Sequence, residues 1–316
     1  MWYVAAPRMP SGATRATPQP LGTREAEPEP PPRTVDKDHH EDRPGQWSES
    51  SFTPVQQARH TAPVDHPFLD APRPLAFAHR GGAATGDENT AGAFGRAAGM
   101  GYRYIETDVH ATADRVPVVI HDADLDRVAG QRARVADLTW ADLSTVRVGG
   151  ASVVPRLDEV LDAWPEIRFN VDVKSDEVVE PAVASVRHTG AEDRVLLASF
   201  SDTRLTRARA LGGTRIATSL GMGSVARLRI ASTAGLPLRL PPSAAAAQIP
   251  VRHGRVTVLT QRFLAYLHRL GLAVHVWTID DPIEMERLID MGVDGIMTDR
   301  IEVLRDVYAA RGLWPA

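Results

Sequence analysis

Residues 75–122 read LAFAHRGGAATGDENTAGAFGRAAGMGYRYIETDVHATADRVPVVIHD, and this stretch decides the fold. Two apolar runs in it carry charged residues: LAFA leads into His79 and Arg80, and YIETDV contains Glu106 and Asp108. Side chains at positions i and i+2 of a strand share a face, so the two acids point the same way. Two carboxylates on one face repel each other unless a cation lies between them, and a divalent cation with oxygen ligands is the simplest candidate.

The second run is followed by a constraint on topology. Only Ala111–Arg115 separates Tyr104–Val109 from the next apolar run, Val116–Ile120, and this spacing is too short for a crossover helix. Val116–Ile120 is therefore predicted to return as the antiparallel strand of a hairpin. This return brings His121 close to the acidic pair.

Downstream of the hairpin, strand-like segments such as Ala244–Pro250 and Gly295–Thr298 alternate with helix-like segments such as Leu138–Val146, Pro282–Met291 and Ile301–Ala310. Without the hairpin return, eight β/α units begin at Leu75, Tyr104, Ile167, Val195, Arg215, Ala244, Ala273 and Gly295. This count predicts an α/β protein, a (β/α)8 TIM barrel with an extra antiparallel hairpin strand after the second barrel strand. In such barrels the reactive face lies at the carboxyl ends of the strands, where the charged residues of the first two strands also fall.

The third parallel strand repeats the i, i+2 pattern with Asp172 and Lys174. Asp172 is predicted to complete a set of three carboxylates with Glu106 and Asp108. Ligands that are all oxygen suit Ca²⁺, Mg²⁺ or Mn²⁺ rather than zinc. Arg80 and Lys174 would offset the negative charge and offer cations to a substrate anion.

A phosphodiester fits that arrangement, because its single negative charge would lie on the cations. His79 and His121 can then supply the proton acceptor and the proton donor for its cleavage. Structural interpretations remain open for the same residues. His79 could be an interior histidine beside an ion pair, the acids could form buried salt bridges, and Trp277 could be a core residue.

Several motifs occur in a fixed order: HRG, ENT, ETDV, VIHD, NVDVK at Asn170–Lys174, ASF at Ala198–Phe200, VHVWTIDDP at Val274–Pro282 and GVDGIMTDR at Gly292–Arg300. This ordered set resembles the glycerophosphodiester phosphodiesterase family, and the resemblance extends from about Pro67 to the C-terminus. It implies metal-dependent hydrolysis of glycerophosphodiesters to glycerol 3-phosphate and an alcohol.

The resemblance also implies roles for individual residues. The acid–base pair is His79 and His121, with His79 expected as the base and His121 as the acid. The attacking oxygen is either water or a neighbouring glycerol hydroxyl, which would first give a cyclic phosphate. The other implied roles are metal ligation by Glu106, Asp108 and Asp172 (where the commoner family pattern has Glu), phosphate binding by Arg80 and Lys174, support of Arg80 or the ion by Glu88, and glycerol contact by Trp277.

Two alternative functions are consistent with the same residues. The first is a lysophospholipase D or phospholipase-like enzyme acting on lipids, which predicts an exposed apolar rim; the candidate is the loop Leu236–Pro242. The second is a barrel that binds phosphodiesters without cleaving them. The pair His79 and His121 argues against the second, because binding alone does not require it.

Other polar residues receive structural interpretations. Ser199 is predicted to cap a helix at Asp202–Leu211, and Asp299 to cap or to pair with a neighbouring loop. Gln248 is assigned no specific role, and His275 is interpreted as structural or exposed.

Composition limits the remaining possibilities. The 316 residues are 43% apolar and 24% charged, with a net charge of −4 and no cysteine. We therefore expect a small-molecule substrate, no nucleic-acid partner and no zinc–thiolate site, and the sequence does not indicate an oligomeric state. Residues 1–65 are rich in proline and predicted to be a disordered tail, and residues 66–316 to be the catalytic domain. We find no transmembrane segment and no secretory signal, so a cytoplasmic location is expected.

Overall fold

The computed structural model describes residues 66–149, 152–236 and 238–314. The predicted tail, residues 1–65, lies outside the described residues. The strands are β1 (Leu75–His79), β2 (Tyr104–Ala111), β3 (Pro117–Val119), β4 (Arg147–Val148), β5 (Ser152–Val153), β6 (Arg168–Val173), β7 (Val195–Ala198), β8 (Ala217–Ser219), β9 (Ala244–Pro250), β10 (Arg252–His253), β11 (Val256–Thr257), β12 (Ala273–Trp277) and β13 (Gly295–Thr298).

Eight of these strands are parallel and close into a barrel. Their order is β1-β13-β12-β9-β8-β7-β6-β2, and β2 pairs again with β1 to complete the circle. Nearly all residues of the barrel strands are buried, as expected for a parallel sheet covered by helices. The prediction of a TIM barrel is confirmed.

The helices are α1 (Ala91–Gly99), α2 (Asp126–Ala129), α3 (Trp140–Leu143), α4 (Leu157–Ala163), α5 (Val179–His188), α6 (Asp202–Gly212), α7 (Met222–Ala234), α8 (Gln261–Arg269), α9 (Pro282–Met291) and α10 (Ile301–Ala310). Local sequence sets their ends. Asp281 caps α9 by accepting from Ile283 N–H, Pro282 takes the first position, and Gly292 ends the helix with φ +91°. Ser201, not Ser199, caps α6 by accepting from Arg204 N–H.

The predicted hairpin after the second barrel strand is present. β3 runs antiparallel to β2, with Val109 opposite Val119 and His110 opposite Val118. Ile120 N–H donates to Asp108 O at 2.9 Å, so the returning chain lies at the level of Asp108 as it enters His121. The hairpin therefore carries His121 to the reactive face of the barrel.

One predicted helix is largely wrong. The segment Leu138–Val146 forms only the single turn α3, which begins with a capping box between Thr139 and Asp142. Beyond it, Val146 and Val148 are buried, and Val148 belongs to the hairpin β4–β5. The segment of residues 120–156 is here called the insertion, and these side chains pack into its small apolar core. Because of this packing, the chain does not continue as a helix after α3.

The barrel interior is apolar below the site. Phe68, from a 3-10 helix at Pro67–Leu69, packs edge-on against Tyr104, with ring centroids 5.4 Å apart. Tyr104 Oη donates to Phe68 O at 2.8 Å. This segment closes the amino end of the barrel and leaves the opposite end for chemistry.

None of the helices in the described ranges is both long and apolar enough to cross a lipid bilayer.

Candidate active site

The HRGG turn places His79 and Arg80 at the end of β1. Arg80 has φ +54°, and Gly81 and Gly82 have φ +80° and +96°. A Cβ on Gly81 would lie 2.8 Å from Phe94 Cδ1, so glycine is needed both for its conformation and for space. The turn directs Arg80 N–H to Glu106 Oε2, at 3.1 Å.

The three predicted carboxylates converge at the carboxyl ends of β2 and β6. Asp108 and Asp172 are opposite each other in the parallel register of these strands. Lys174 Nζ lies 2.7 Å from Asp108 Oδ1 and 2.7 Å from Asp172 Oδ2. These groups and Glu106 line one cavity of about 250 Å³.

The charges in this cluster are not evenly compensated. Burial and the neighbouring Asp108 raise the pKa of Glu106 to about 7. Burial also opposes ionisation of Asp108, but Lys174, His121 and Arg80 outweigh it and lower the pKa of that carboxyl group. The excess negative potential is therefore concentrated at Glu106, the deeper of the two acids on β2.

His79 is held by an aspartate from the far end of the chain. His79 Nδ1–H donates to Asp299 Oδ1 at 2.6 Å, and His79 Nε2 lies 3.6 Å from Glu106 Oε2. Burial disfavours the imidazolium, but Glu106 and Asp299 outweigh it and raise the pKa of His79. Asp299 was predicted only to cap or to pair with a neighbouring loop, and its contact with His79 corrects that interpretation.

His121 has an equivalent support. Its Nδ1–H donates to Asp122 Oδ1 at 2.6 Å, and Asp122 Oδ2 accepts from Arg127 Nε at 2.6 Å. The Arg127 guanidinium lowers the pKa of Asp122 despite partial burial, so this acid remains a carboxylate. Asp122 and Arg127 were missed by sequence analysis, although Asp122 directly follows His121.

Arg127 also joins the insertion to the HRGG turn. Its two terminal nitrogens donate to Glu88 at 3.1 and 2.6 Å, and Glu88 Oε1 accepts from Arg80 Nη1 at 3.0 Å. The predicted contact between Glu88 and Arg80 is thus present, and a second arginine shares the same carboxylate.

Asn89 positions Asp108. Its Nδ2 donates to Asp108 Oδ2 at 3.0 Å, and its Oδ1 accepts from Thr107 Oγ1 at 2.7 Å. Thr90, the next residue of the ENT motif, caps α1 by accepting from Ala93 N–H. Asn89, with φ +58°, instead serves the acidic cluster.

The residues present fit a divalent cation. The donor set consists of carboxylate oxygens, the ligands that Ca²⁺, Mg²⁺ and Mn²⁺ prefer, and a cation would relieve the excess negative potential at Glu106. Within the described ranges, no three acidic or histidine side chains already lie close enough together to hold a metal. Lys174 Nζ instead lies between Asp108 and Asp172.

The outer wall of the cavity is aromatic and apolar. Phe200 and Trp277 have ring centroids 5.5 Å apart, and Met222 N–H donates to Phe200 O. Phe200 and Met222 are 52% and 56% exposed. This rim is additional to the predicted loop Leu236–Pro242, in which Leu236 and Leu238 are also exposed.

The cavity gathers eight of the nine predicted site residues, and Glu88 stands behind Arg80 outside its lining. The eight are His79, Arg80, Glu106, Asp108, His121, Asp172, Lys174 and Trp277. Asn170, Gln248 and Phe200 line the same cavity without having been assigned a role from the sequence.

Comparison with known proteins identifies the family of this chain. The model of the glycerophosphoryl diester phosphodiesterase family matches residues 79–303. The "Probable glycerophosphodiester phosphodiesterase 2" of Mycobacterium tuberculosis is 40% identical over 244 residues, which are 76% of this chain and 92% of that protein. The glycerophosphodiester phosphodiesterase of Caldanaerobacter subterraneus is 29% identical over 252 residues, 75% of this chain and 99% of the relative.

Solved structures show the same likeness. A glycerophosphodiester phosphodiesterase from Parabacteroides distasonis superposes with a TM-score of 0.63 at 25% identity, covering 77% of this chain and 100% of the other. The family model spans well over half of the sequence, and it includes both histidines and all three acids of the cavity. This chain therefore belongs to the glycerophosphoryl diester phosphodiesterase family and is a phosphodiesterase.

Proposed function

We propose that this protein hydrolyses glycerophosphodiesters to glycerol 3-phosphate and an alcohol, with His79 and His121 transferring the protons. One observation carries the proposal: both imidazoles line the same cavity, and each has its Nδ1 held by a carboxylate at 2.6 Å. Each ring therefore keeps its Nε2 for the reacting atoms.

Two cations support binding of the phosphodiester anion. Arg80 offers a planar fork of donors and Lys174 offers a point charge, and both line the same cavity as the histidines. Arg80 is oriented by Glu88, and Lys174 by Asp108 and Asp172.

The proton transfers follow from the two histidines. His79 accepts the proton of the attacking oxygen, which forms a new bond to phosphorus as the bond to the alcohol oxygen breaks. His121 donates its proton to that departing oxygen. If the attacker is a glycerol hydroxyl, a cyclic phosphate forms first, and water opens it with the histidines in exchanged roles.

A divalent cation is part of the proposal, as members of the family generally use one. Glu106, Asp108 and Asp172 would hold it. When bound, it supplies positive charge that stabilises the additional negative charge of the phosphoryl oxygens in the transition state.

Hydrolysis of glycerophosphocholine tests the proposal. His79→Ala and His121→Ala should each lower kcat by ~10²–10⁴-fold, whereas the exposed His253→Ala serves as a matched control and should retain activity. EDTA should abolish turnover, and Ca²⁺, Mg²⁺ or Mn²⁺ should restore it. Full activity in both site variants would refute the histidine roles, and full activity in EDTA would refute the cation.

A second candidate activity is lysophospholipase D, and the exposed aromatic ring of Phe200 beside Trp277 at the cavity favours it. The discriminating measurement is kcat/KM for lysophosphatidylcholine against glycerophosphocholine. A preference for the lipid that disappears in Phe200→Ser would support the second candidate.

A barrel that only binds phosphodiesters is not supported, because the family is one of phosphodiesterases. A cytoplasmic location stays a prediction.

A further inference from the structure

Two amide side chains, here called the amide pair, line the bottom of the cavity. Asn170 on β6 and Gln248 on β9 both line it, and Gln248 Nε2 donates to Asn170 Oδ1 at 2.7 Å. The strands β7 and β8 separate β6 from β9 in the sheet, so this hydrogen bond crosses the barrel interior. Asn170 is opposite Glu106 in the register with β2 and lies one i, i+2 step, roughly 6.6 Å, below Asp172.

His275 lies beside the Gln248 amide. Gln248 Nε2 also lies 3.4 Å from Nδ1 of His275, which is fully buried. Burial lowers the pKa of His275 to about 4, so the ring is neutral near pH 7. In the tautomer with its proton on Nε2, His275 Nδ1 accepts from Gln248, and both hydrogens of Gln248 Nε2 are then directed at protein acceptors.

This arrangement leaves one acceptor and one donor open to the cavity. Gln248 Oε1 and Asn170 Nδ2 have no hydrogen-bond partner among the described residues. Neither atom is fully buried, so both are accessible to a ligand in the cavity. Polar groups in such a position are costly unless a ligand or water satisfies them. Phosphate oxygens cannot satisfy Gln248 Oε1, since both would be acceptors, but a hydroxyl group both donates and accepts.

We infer that Asn170 and Gln248 recognise the free hydroxyl groups of the glycerol moiety. A hydroxyl donates to Gln248 Oε1 and accepts from Asn170 Nδ2, while the phosphate lies above at Arg80 and Lys174. The inference rests on the proposed function, and it makes the amide pair the part of the site that selects glycerol-containing diesters.

Binding of two phosphate monoesters tests it by calorimetry. Glycerol 3-phosphate has the hydroxyls, and ethyl phosphate lacks them. Wild type should bind glycerol 3-phosphate about 10-fold more tightly, the effect of one or two neutral hydrogen bonds, and Gln248→Met should bind both alike. Gln261→Met, an exposed glutamine on α8, is the matched control and should keep the preference.

Kinetics provide a second readout. In Gln248→Met, kcat/KM for glycerophosphocholine should fall about 10-fold, mainly through KM, relative to kcat/KM for bis(4-nitrophenyl) phosphate, which has no glycerol. A structural defect would lower both substrates together. If Gln248→Met does not fold, Gln248→Asn keeps an amide but withdraws it by one methylene and should lose the same preference.

The outcomes separate this inference from the proposed function. Equal wild-type affinity for the two monoesters, or a preference that survives in Gln248→Met, overturns the inference. A wild-type protein that cleaves no glycerophosphocholine overturns the proposed function. The binding comparison still decides the role of the amide pair.

Discussion

At the scale of single residues, the site depends on carboxylates that hold other functional groups. Asp299 and Asp122 each fix one imidazole, and Glu88 connects two arginines. These acids do not have to touch a substrate to matter, because an imidazole acts only when its tautomer and orientation are set. Arg127 is the residue on which two of these supports depend.

Replacing Arg127 with alanine should lower kcat. The change frees Asp122 behind His121 and removes one partner of Glu88, and loss of such supporting contacts typically costs roughly 10–100-fold. Arg127→Lys should not rescue activity, since a single ammonium cannot bridge both acids. Steady-state kinetics with glycerophosphocholine measure the effect.

The control is Arg115→Ala, which breaks an exposed ion pair with Glu180. Such pairs contribute little, so this variant should match wild type. A wild-type kcat in Arg127→Ala would show that Asp122 and Glu88 hold His121 and Arg80 without help from Arg127.

The sequence predicted those residues that obey a local rule. The i, i+2 pattern placed Glu106 beside Asp108 and Asp172 beside Lys174, and the short hairpin placed His121 near them. Asp299 was missed because it lies 220 positions from His79, and only pairing of β1 with β13 joins them. No local pattern distinguishes such a residue from an ordinary helix-capping aspartate.

At the scale of elements, the turn between β1 and α1 depends on close packing. Gly81 and Gly86 both have φ +80°, but a Cβ on Gly81 would meet Phe94 Cδ1 at 2.8 Å and Ala93 Cβ at 2.9 Å. A Cβ on Gly86 would have no atom within 4 Å. Comparing alanine variants at the two positions therefore separates the cost of backbone strain from the cost of overpacking.

Gly81→Ala should destabilise the protein by about 2–4 kcal/mol, since left-handed strain and overpacking add. Gly86→Ala has only the strain and should cost about 1–2 kcal/mol. Urea denaturation measures both. Equal losses would mean that the chain around Phe94 relaxes without cost.

The connection before β13 contains a buried acid whose ionisation should set acid stability. Asp294 Oδ2 accepts from His268 Nε2 at 2.7 Å and from Val274 N–H at 2.8 Å, and Arg73 lies 3.2 Å from its other oxygen. Burial opposes the charge, but His268 and these other contacts outweigh it and lower the pKa of Asp294.

Asp294→Asn should therefore destabilise the fold by about 2 kcal/mol at neutral pH. The native pKa lies below that of the unfolded chain, so the stabilisation is complete above the ordinary carboxyl pKa of about 3.9. It is lost as the pH falls through the lowered native value. Urea midpoints of both proteins between pH 7 and pH 3 measure it, and a constant difference across that range would contradict the assignment.

Secondary structure was predicted well for elements that have clear caps and a continuous apolar face. The bounds of α9, α10, β9 and β13 agree with the sequence analysis, because caps and apolar faces mark them. The insertion was predicted poorly, since its short elements are set by their own small core and not by local propensity.

At the scale of the whole molecule, closure of the barrel joins the two halves of the site. β1 pairs with both β2 and β13, so His79 stands between Glu106 and Asp299. The same closure needs a floor, which Phe68 and Leu69 supply with exposed fractions of 0% and 3%. The functional chain should therefore begin at this floor segment.

We expect a protein of residues 66–316 to retain full activity. The barrel strands begin at Leu75, and His66 Nδ1 accepts from Phe68 N–H to anchor the floor segment. A shorter protein of residues 75–316 loses Phe68 from the barrel interior and should be less stable by at least about 3–5 kcal/mol, the usual cost of removing a buried phenylalanine. Glycerophosphocholine hydrolysis and urea denaturation of the full chain and both truncations decide this. Loss of soluble activity in the 66–316 protein would show that residues 1–65 are required, whereas unchanged stability in the 75–316 protein would show that the barrel holds together without its floor.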